Sequence, residues 1–207
     1  MFLTRMRLDT TNRNTMRALI ALNQIHGAVE SAFSREHGRC LWRIDNLRGQ
    51  TYLMLLSEEQ PDLTNAAAQF GMEGWETVSY DPLLKRIREG SRWNFRLVAN
   101  PTESKAHGKD ERGKVFAHVT PKYQREWLLK RSESHGFHLD EDSFDVKKNQ
   151  WFHFQKNAKG PEVSLLQVTF EGTLTVTNPE LFRKLLTKGI GRAKAYGMGL
   201  MTVIAIQ

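Results

Sequence analysis

The hydrophobic period switches repeatedly between two and about 3.6 over the first eighty or so residues, and no other feature narrows the possible folds as far. From Phe2 to Leu8, the side chains Phe2, Thr4, Met6 and Leu8 alternate with Leu3, Arg5 and Arg7, as in a strand. The Thr-Thr-Asn stretch after Asp9 supplies cap-forming side chains, so a helix begins near Asn12. Between Asn14 and Phe33 the stripe Ala18, Leu22, Ile25, Val29, Phe33 recurs at three and four residues, which predicts one helix along that stretch. Leu41 to Ile44 and Thr51 to Leu56 read as strands, and the polar Asp45-Asn46-Leu47-Arg48-Gly49 between them as the loop of a hairpin. Leu63 to Phe70 is Ala-rich, favours helix and ends at Gly71, after which Trp75 to Tyr80 is a fourth strand. Strand, helix, strand, strand, helix, strand is the split βαβ arrangement of ferredoxin-like domains.

The charged stretch Pro82 to Gly90 reads as a connection, and Trp93 to Val98 resumes the strand period. A polar loop from Asn100 to Gly113 follows, then a helix from Pro121 to His135. Two strand-like stretches lie around Phe144 to Phe154, and a long strand runs from Val163 to Val176. A helix from Pro179 to Leu186, a glycine-rich turn and a strand from Leu200 to Ile206 close the chain. The expected class is α+β, with two tandem ferredoxin-like (βαββαβ) domains, residues 1–88 and 89–207, the second carrying an added β-hairpin.

Lysine and arginine exceed aspartate and glutamate by 30 to 23, a net charge of +7 that favours phosphate-bearing partners or an anionic membrane surface. Cys40 is the only cysteine, so no disulfide within the chain and no multi-cysteine zinc site can form, which suits a reducing cytoplasm. Neither a signal-peptide core nor a run of 18 apolar residues is present, so a soluble chain without membrane partners is expected. Of the seven histidines, His135 and His138 are the only close pair, and no metal-ligand motif accompanies them.

Lys147, Lys148, Lys156 and Lys159 surround Trp151, Phe152 and Phe154, a mixture suited to phosphate contact and base stacking. The same stretch is equally a hairpin with aromatics in a core and lysines in water. Two more basic runs, Lys122 to Arg131 and Arg183 to Lys194, have the same two readings. Gly189, Gly191, Gly197 and Gly199 lie in one loop with Arg192 and Lys194. Such glycines allow backbone amides close to a phosphate, and tight packing and turn geometry explain them as well. The loop is no nucleotide P-loop, since it follows a helix and lacks the Gly-Lys-Ser/Thr ending. His26 stands at the edge of the apolar stripe, the position of either a packed, hydrogen-bonded histidine or a catalyst.

Three stretches together resemble the CasE-type endoribonucleases of type I-E CRISPR systems, members of the repeat-associated RNA-binding superfamily, and the likeness covers essentially the whole chain. They are Phe170 to Val176 with Gly189-Ile190-Gly191, Lys194 and Gly197-Met198-Gly199-Leu200; Phe95 to Pro101; and Leu22-Asn23-Gln24-Ile25-His26-Gly27 with Phe33. The resemblance implies two ferredoxin-like domains and His26 as the principal catalytic residue. It implies metal-independent cleavage of stem-loop repeats in precursor CRISPR RNA by 2′-hydroxyl attack, with no cofactor. It further implies retention of the mature crRNA, assembly with other subunits of the Cascade surveillance complex from a monomeric state, and a cytoplasmic role in antiviral defence. RNA contacts are expected from Lys147, Lys148, Trp151, Lys156, Lys159, Arg192, Lys194 and the four loop glycines. Some members have a tyrosine three residues before the histidine where Asn23 stands here, and an amide neither donates nor takes a proton near neutrality. That departure keeps open a non-catalytic repeat-RNA-binding subunit. A ferredoxin-like metabolic or metal-binding protein would need a ligand cluster or cofactor motif that the sequence lacks.

Overall fold

The computed structural model describes residues 1–34, 37–105, 114–155 and 160–206. In the first half, β1 (Phe2–Leu8), α1 (Arg13–Ile20), α2 (Leu22–Glu30), β2 (Leu41–Leu47), β3 (Gln50–Ser57), α3 (Thr64–Phe70) and β4 (Gly71–Ser79) form an antiparallel sheet in the order β2-β3-β1-β4 with its helices. This is the ferredoxin-like order. The Asn12 side chain caps α1 by accepting from the Asn14 amide at 2.8 Å.

Two expectations for this half need correction. The single helix over 14–33 is two helices, because Ala21 leaves helical geometry (φ −108°, ψ 80°), and α2 stops at Glu30, short of Phe33. The apolar stripe continues through the break, so periodicity alone does not reveal it. The hairpin loop is also shorter than expected. The β2–β3 ladder continues to Leu47 and Gln50, leaving only Arg48 (φ 52°) and Gly49 (φ 77°) in the left-handed turn. Asp45 is polar yet belongs to the strand, because it is buried against Arg43 two residues earlier on the same face.

After α4 (Asp81–Arg86), the second half comprises β5 (Arg92–Ala99), β6 (Thr102–Lys105), β7 (Lys114–Ala117), α5 (Pro121–Ser132), β8 (Phe137–His138), β9 (Phe144–Gln155), β10 (Glu162–Val176), α6 (Pro179–Lys188) and β11 (Met201–Ala205). Its sheet runs β11-β5-β10-β8, with β9 also paired to β10, so the ferredoxin-like order recurs. The stretch expected as a polar loop after Asn100 instead contributes a strand, β6, which pairs antiparallel with β7, while the Trp151 stretch forms its ladder with β10. The two strand stretches expected around Phe144 to Phe154 are one strand, whose register with β10 shifts beside Lys147. None of the helices among the described residues is long and apolar enough to cross a membrane.

Side chains from both halves share each core. Leu41, Leu56, Tyr80 and Ile87 pack with Trp93, Phe95, Phe170 and Met201, while Val98, Phe152, Phe154 and Met198 pack with Met6, Leu22, Ile25 and Trp42. Arg43 links the two sheets. Its guanidinium is held by Asp45 (Nη2 to Oδ2, 2.8 Å) and donates to the Arg96 carbonyl (3.0 Å), the Leu200 carbonyl (3.2 Å) and Thr202 Oγ1 (2.7 Å). Every donor edge of this buried guanidinium therefore meets a partner. These contacts tie β2 to β5 and to the start of β11.

Candidate functional site

Helix α2 buries Leu22, Ile25, Ala28 and Val29, which turns His26 and Glu30, one helical turn apart, toward the second half. Opposite them, the chain after α6 forms a tight loop whose one-turn 3-10 helix, Lys194–Tyr196, is bracketed by left-handed Ala193 (φ 61°) and Gly197 (φ 74°). A side chain at Gly197 would place Cβ 2.6 Å from the Trp42 ring, and one at Gly199 would lie 2.6 Å from the Ile190 carbonyl oxygen. Packing and backbone conformation thus account for these two glycines directly.

Between helix and loop lies a groove of about 480 Å³, lined by His26, Glu30, His37, Arg39, Arg192 and Lys194 among others. His26 is about one-third exposed, and its Nδ1 faces Glu30 Oε1 at 3.6 Å, just beyond hydrogen-bond length. The other oxygen of Glu30 is 3.4 Å from His37 Nε2, and His37 Nδ1 donates to the Gly38 carbonyl at 2.7 Å. In the neutral imidazole a proton on His26 Nδ1 would face this carboxylate, and the lone pair would then lie on Nε2. The Tyr196 ring meets His26 edge-on, with centroids 6.4 Å apart.

The rim is cationic. Arg39, Arg192 and Lys194 have no ion-pair partner among the described residues. Burial, followed by the charge of Arg39, holds Lys194 below the ordinary lysine range. An incoming phosphate would offset both penalties. No three His, Cys, Asp or Glu side chains among the described residues are placed to hold a metal ion.

The structure thus brings together His26, Arg192, Lys194 and Gly191, while separating the other residues singled out in the sequence. Lys147 lines a different cleft beside Asp145, 3.6 Å away. Lys148 lies against α1 and β2 in a third. Trp151 is exposed on β9 and stacks on His153 at 5.9 Å, whereas Phe152 and Phe154 enter the core. Gly189 packs against Leu41. Lys156 and Lys159 lie outside the described residues. In the basic runs, Arg183 donates to the Leu84 and Ile87 carbonyls, Arg125 to those of Phe144 and Glu141, and Lys188 pairs with Glu58, so these three hold the fold. Glu30, His37, Arg39 and Tyr196 escaped the sequence reading. The spacing of Glu30 four residues after His26 was the only local signal for any of them.

A family model described as CRISPR associated protein matches residues 1–205. The chain is 32% identical to the CRISPR-associated endoribonuclease Cse3 of Thermus thermophilus, over 98% of this chain and 99% of that one. A solved structure of CRISPR endoribonuclease Cse3 bound to a 19-nucleotide RNA superposes with a TM-score of 0.83 at 27% identity, over 99% of this chain and 100% of the other. Thermus thermophilus Cse3 bound to an RNA representing a pre-cleavage complex gives 0.82 at 27% identity, over 98% of each chain.

Proposed function

Because this chain belongs to the CasE-type (Cse3) family of CRISPR-associated proteins, we propose that it is an endoribonuclease that cleaves stem-loop repeats of precursor CRISPR RNA. In this reading residues 1–88 carry His26 and residues 89–207 supply most of the RNA surface. The mature crRNA stays bound, and the protein enters a surveillance complex with it. Support comes from the relatives' named activity and RNA complexes, and above all from one observation. His26 faces a cation-rimmed groove with its Nδ1 turned to Glu30.

The reaction uses a nucleophile that belongs to the substrate. The ribose 2′-oxygen attacks its own phosphate, the bond to the 5′-oxygen breaks, and a 2′,3′-cyclic phosphate and a 5′-hydroxyl result. The 2′ proton passes to His26 Nε2, the nitrogen that Glu30 leaves unprotonated, a step that contributes typically about 10² to 10⁴-fold. Arg192 and Lys194 offset the charge that builds on the phosphoryl oxygens. Lys194, held below the ordinary lysine range, gives up a proton more readily than Arg192 and is the candidate to protonate the departing 5′-oxygen. The scheme needs neither a metal nor a protein nucleophile. Trp151, Lys147, Lys148, Lys156 and Lys159, with Gly189, Gly191, Gly197 and Gly199 shaping the loop, belong to the surface that grips the repeat in this proposal.

Labelled repeat RNA incubated in EDTA provides the test. Wild type is expected to cut it, and His26→Ala to bind it within about tenfold of wild type without cutting, since proton transfer acts on the transition state. Asn23, in place of the tyrosine of some relatives, favours a second reading, a repeat-binding subunit that does not cut. RNA bound by wild type yet left intact would establish that reading instead.

A further inference from the structure

A second groove, of about 560 Å³, continues from the first on the other side of the loop after α6, and Gly191 and Arg192 line both. Its walls are α5, through Tyr123, Glu126, Trp127, Lys130 and Arg131, and the start of the β6–β7 hairpin with His118. We propose that this groove binds the unpaired RNA strand that leaves the repeat stem at the scissile phosphate, with a base stacked on Tyr123 and His118.

The aromatic surface is available rather than spent on the core. Tyr123 is 51% exposed, and its ring lies 6.1 Å from that of His118 at 30°, a tilted pair open to a third ring. Trp127 is buried beneath, stacked on Phe170 and covered by the Arg131 guanidinium 4.4 Å from its ring. That arrangement gives the groove a rigid floor. The two acids are each matched by a lysine, Glu126 by Lys130 at 3.9 Å and Glu103 by Lys105 at 3.0 Å, so Arg131 and Arg192 leave the groove net positive. Lys122 adds a further cation 6.0 Å from the Tyr123 ring centre. Aromatic platforms beside a positive track suit single-stranded RNA, whose bases stack and whose phosphates follow the charge. The volume falls within the roughly 300–1,000 Å³ usual for ligand sites. The shared Arg192 gives direction, because a strand with its scissile phosphate near His26 passes Arg192 before reaching Tyr123.

This inference rests on the proposed RNA-cleaving function, and two RNAs separate the fates of the two. One is a stem-loop repeat with a 2′-deoxy residue at the cleavage position and 2-aminopurine in the first unpaired nucleotide beyond it. The other is the same stem-loop without the unpaired strand. The full chain is expected to bind the longer RNA more tightly and to quench the 2-aminopurine. Tyr123→Ala and His118→Ala should relieve the quench, and Tyr123→Ala should weaken the longer RNA roughly fivefold to a hundredfold while leaving the bare stem-loop unchanged. A stem-loop that binds with no gain from the unpaired strand overturns this inference alone, as does an undiminished quench in both variants. That result would leave the groove to a protein partner. Failure of either RNA to bind would overturn the RNA reading and this one with it.

Discussion

The ring edge of Tyr196 meets the imidazole of His26 across the boundary between the two halves, with centroids 6.4 Å apart and planes inclined at 66°. Tyr196 is itself wedged edge-on against Phe154, 5.2 Å away. The catalytic candidate therefore takes one side of its orientation from a residue 170 positions away in sequence. Phenylalanine at 196 keeps both ring contacts and alanine removes them. Single-turnover cleavage by Tyr196→Phe is expected within about threefold of wild type, and by Tyr196→Ala about tenfold slower, in line with the usual strength of aromatic pairs. An equal loss in both variants would move the role from the ring to the hydroxyl.

Glu30 lies against the other side of the same imidazole, its Oε1 3.6 Å from Nδ1. Glu30→Gln keeps the shape but offers no carboxylate to Nδ1, so the base-competent tautomer loses its preference. The cleavage step should slow roughly tenfold to a hundredfold, while the dissociation constant for uncleavable repeat RNA stays unchanged. A rate equal to wild type would mean that Glu30 does not govern the tautomer.

Arg43 and Asp45 are each no more than 5% exposed in the side chain, at the junction of the two sheets. Removing one member leaves a buried charge with too few partners. Arg43→Met should cost about 3–5 kcal/mol in urea unfolding, whereas replacing both Arg43 and Asp45 by apolar residues should recover much of that loss. A loss within about 1 kcal/mol in Arg43→Met would show that Arg96, 3.3 Å from Asp45, or water compensates the carboxylate.

Burial, reinforced by the nearby carboxylates of Glu30, Glu58 and Glu59, pushes the Cys40 thiol up to about 12. The raised value keeps the group protonated well above neutrality. Iodoacetamide should therefore label the native chain very slowly at pH 8 and the urea-unfolded chain rapidly. Fast native labelling would place Cys40 in an opened state.

The main strands and helices of both ferredoxin-like units and the Asn12 cap were legible in the sequence, whereas α4 in the expected connection and the β6–β7 pair were not. The legible features follow from side-chain period and capping chemistry, which act over a few residues. His26 was visible there as a residue at the edge of an apolar stripe, and family resemblance made it a catalytic candidate. Tertiary structure decided what local patterns do not encode. It broke the helix at Ala21 without interrupting the stripe, and it drew Asp45 into a strand because Arg43 is buried beside it. It also divided the basic runs, sending Arg125 and Arg183 to backbone carbonyls and leaving Arg192 and Lys194 facing His26. The groove joins α2 to a loop more than 160 residues later in the chain, so its composition depends on how two sheets with shared cores pack together. A lysine in water and a lysine on that groove look alike in sequence, and only packing distinguishes their charges.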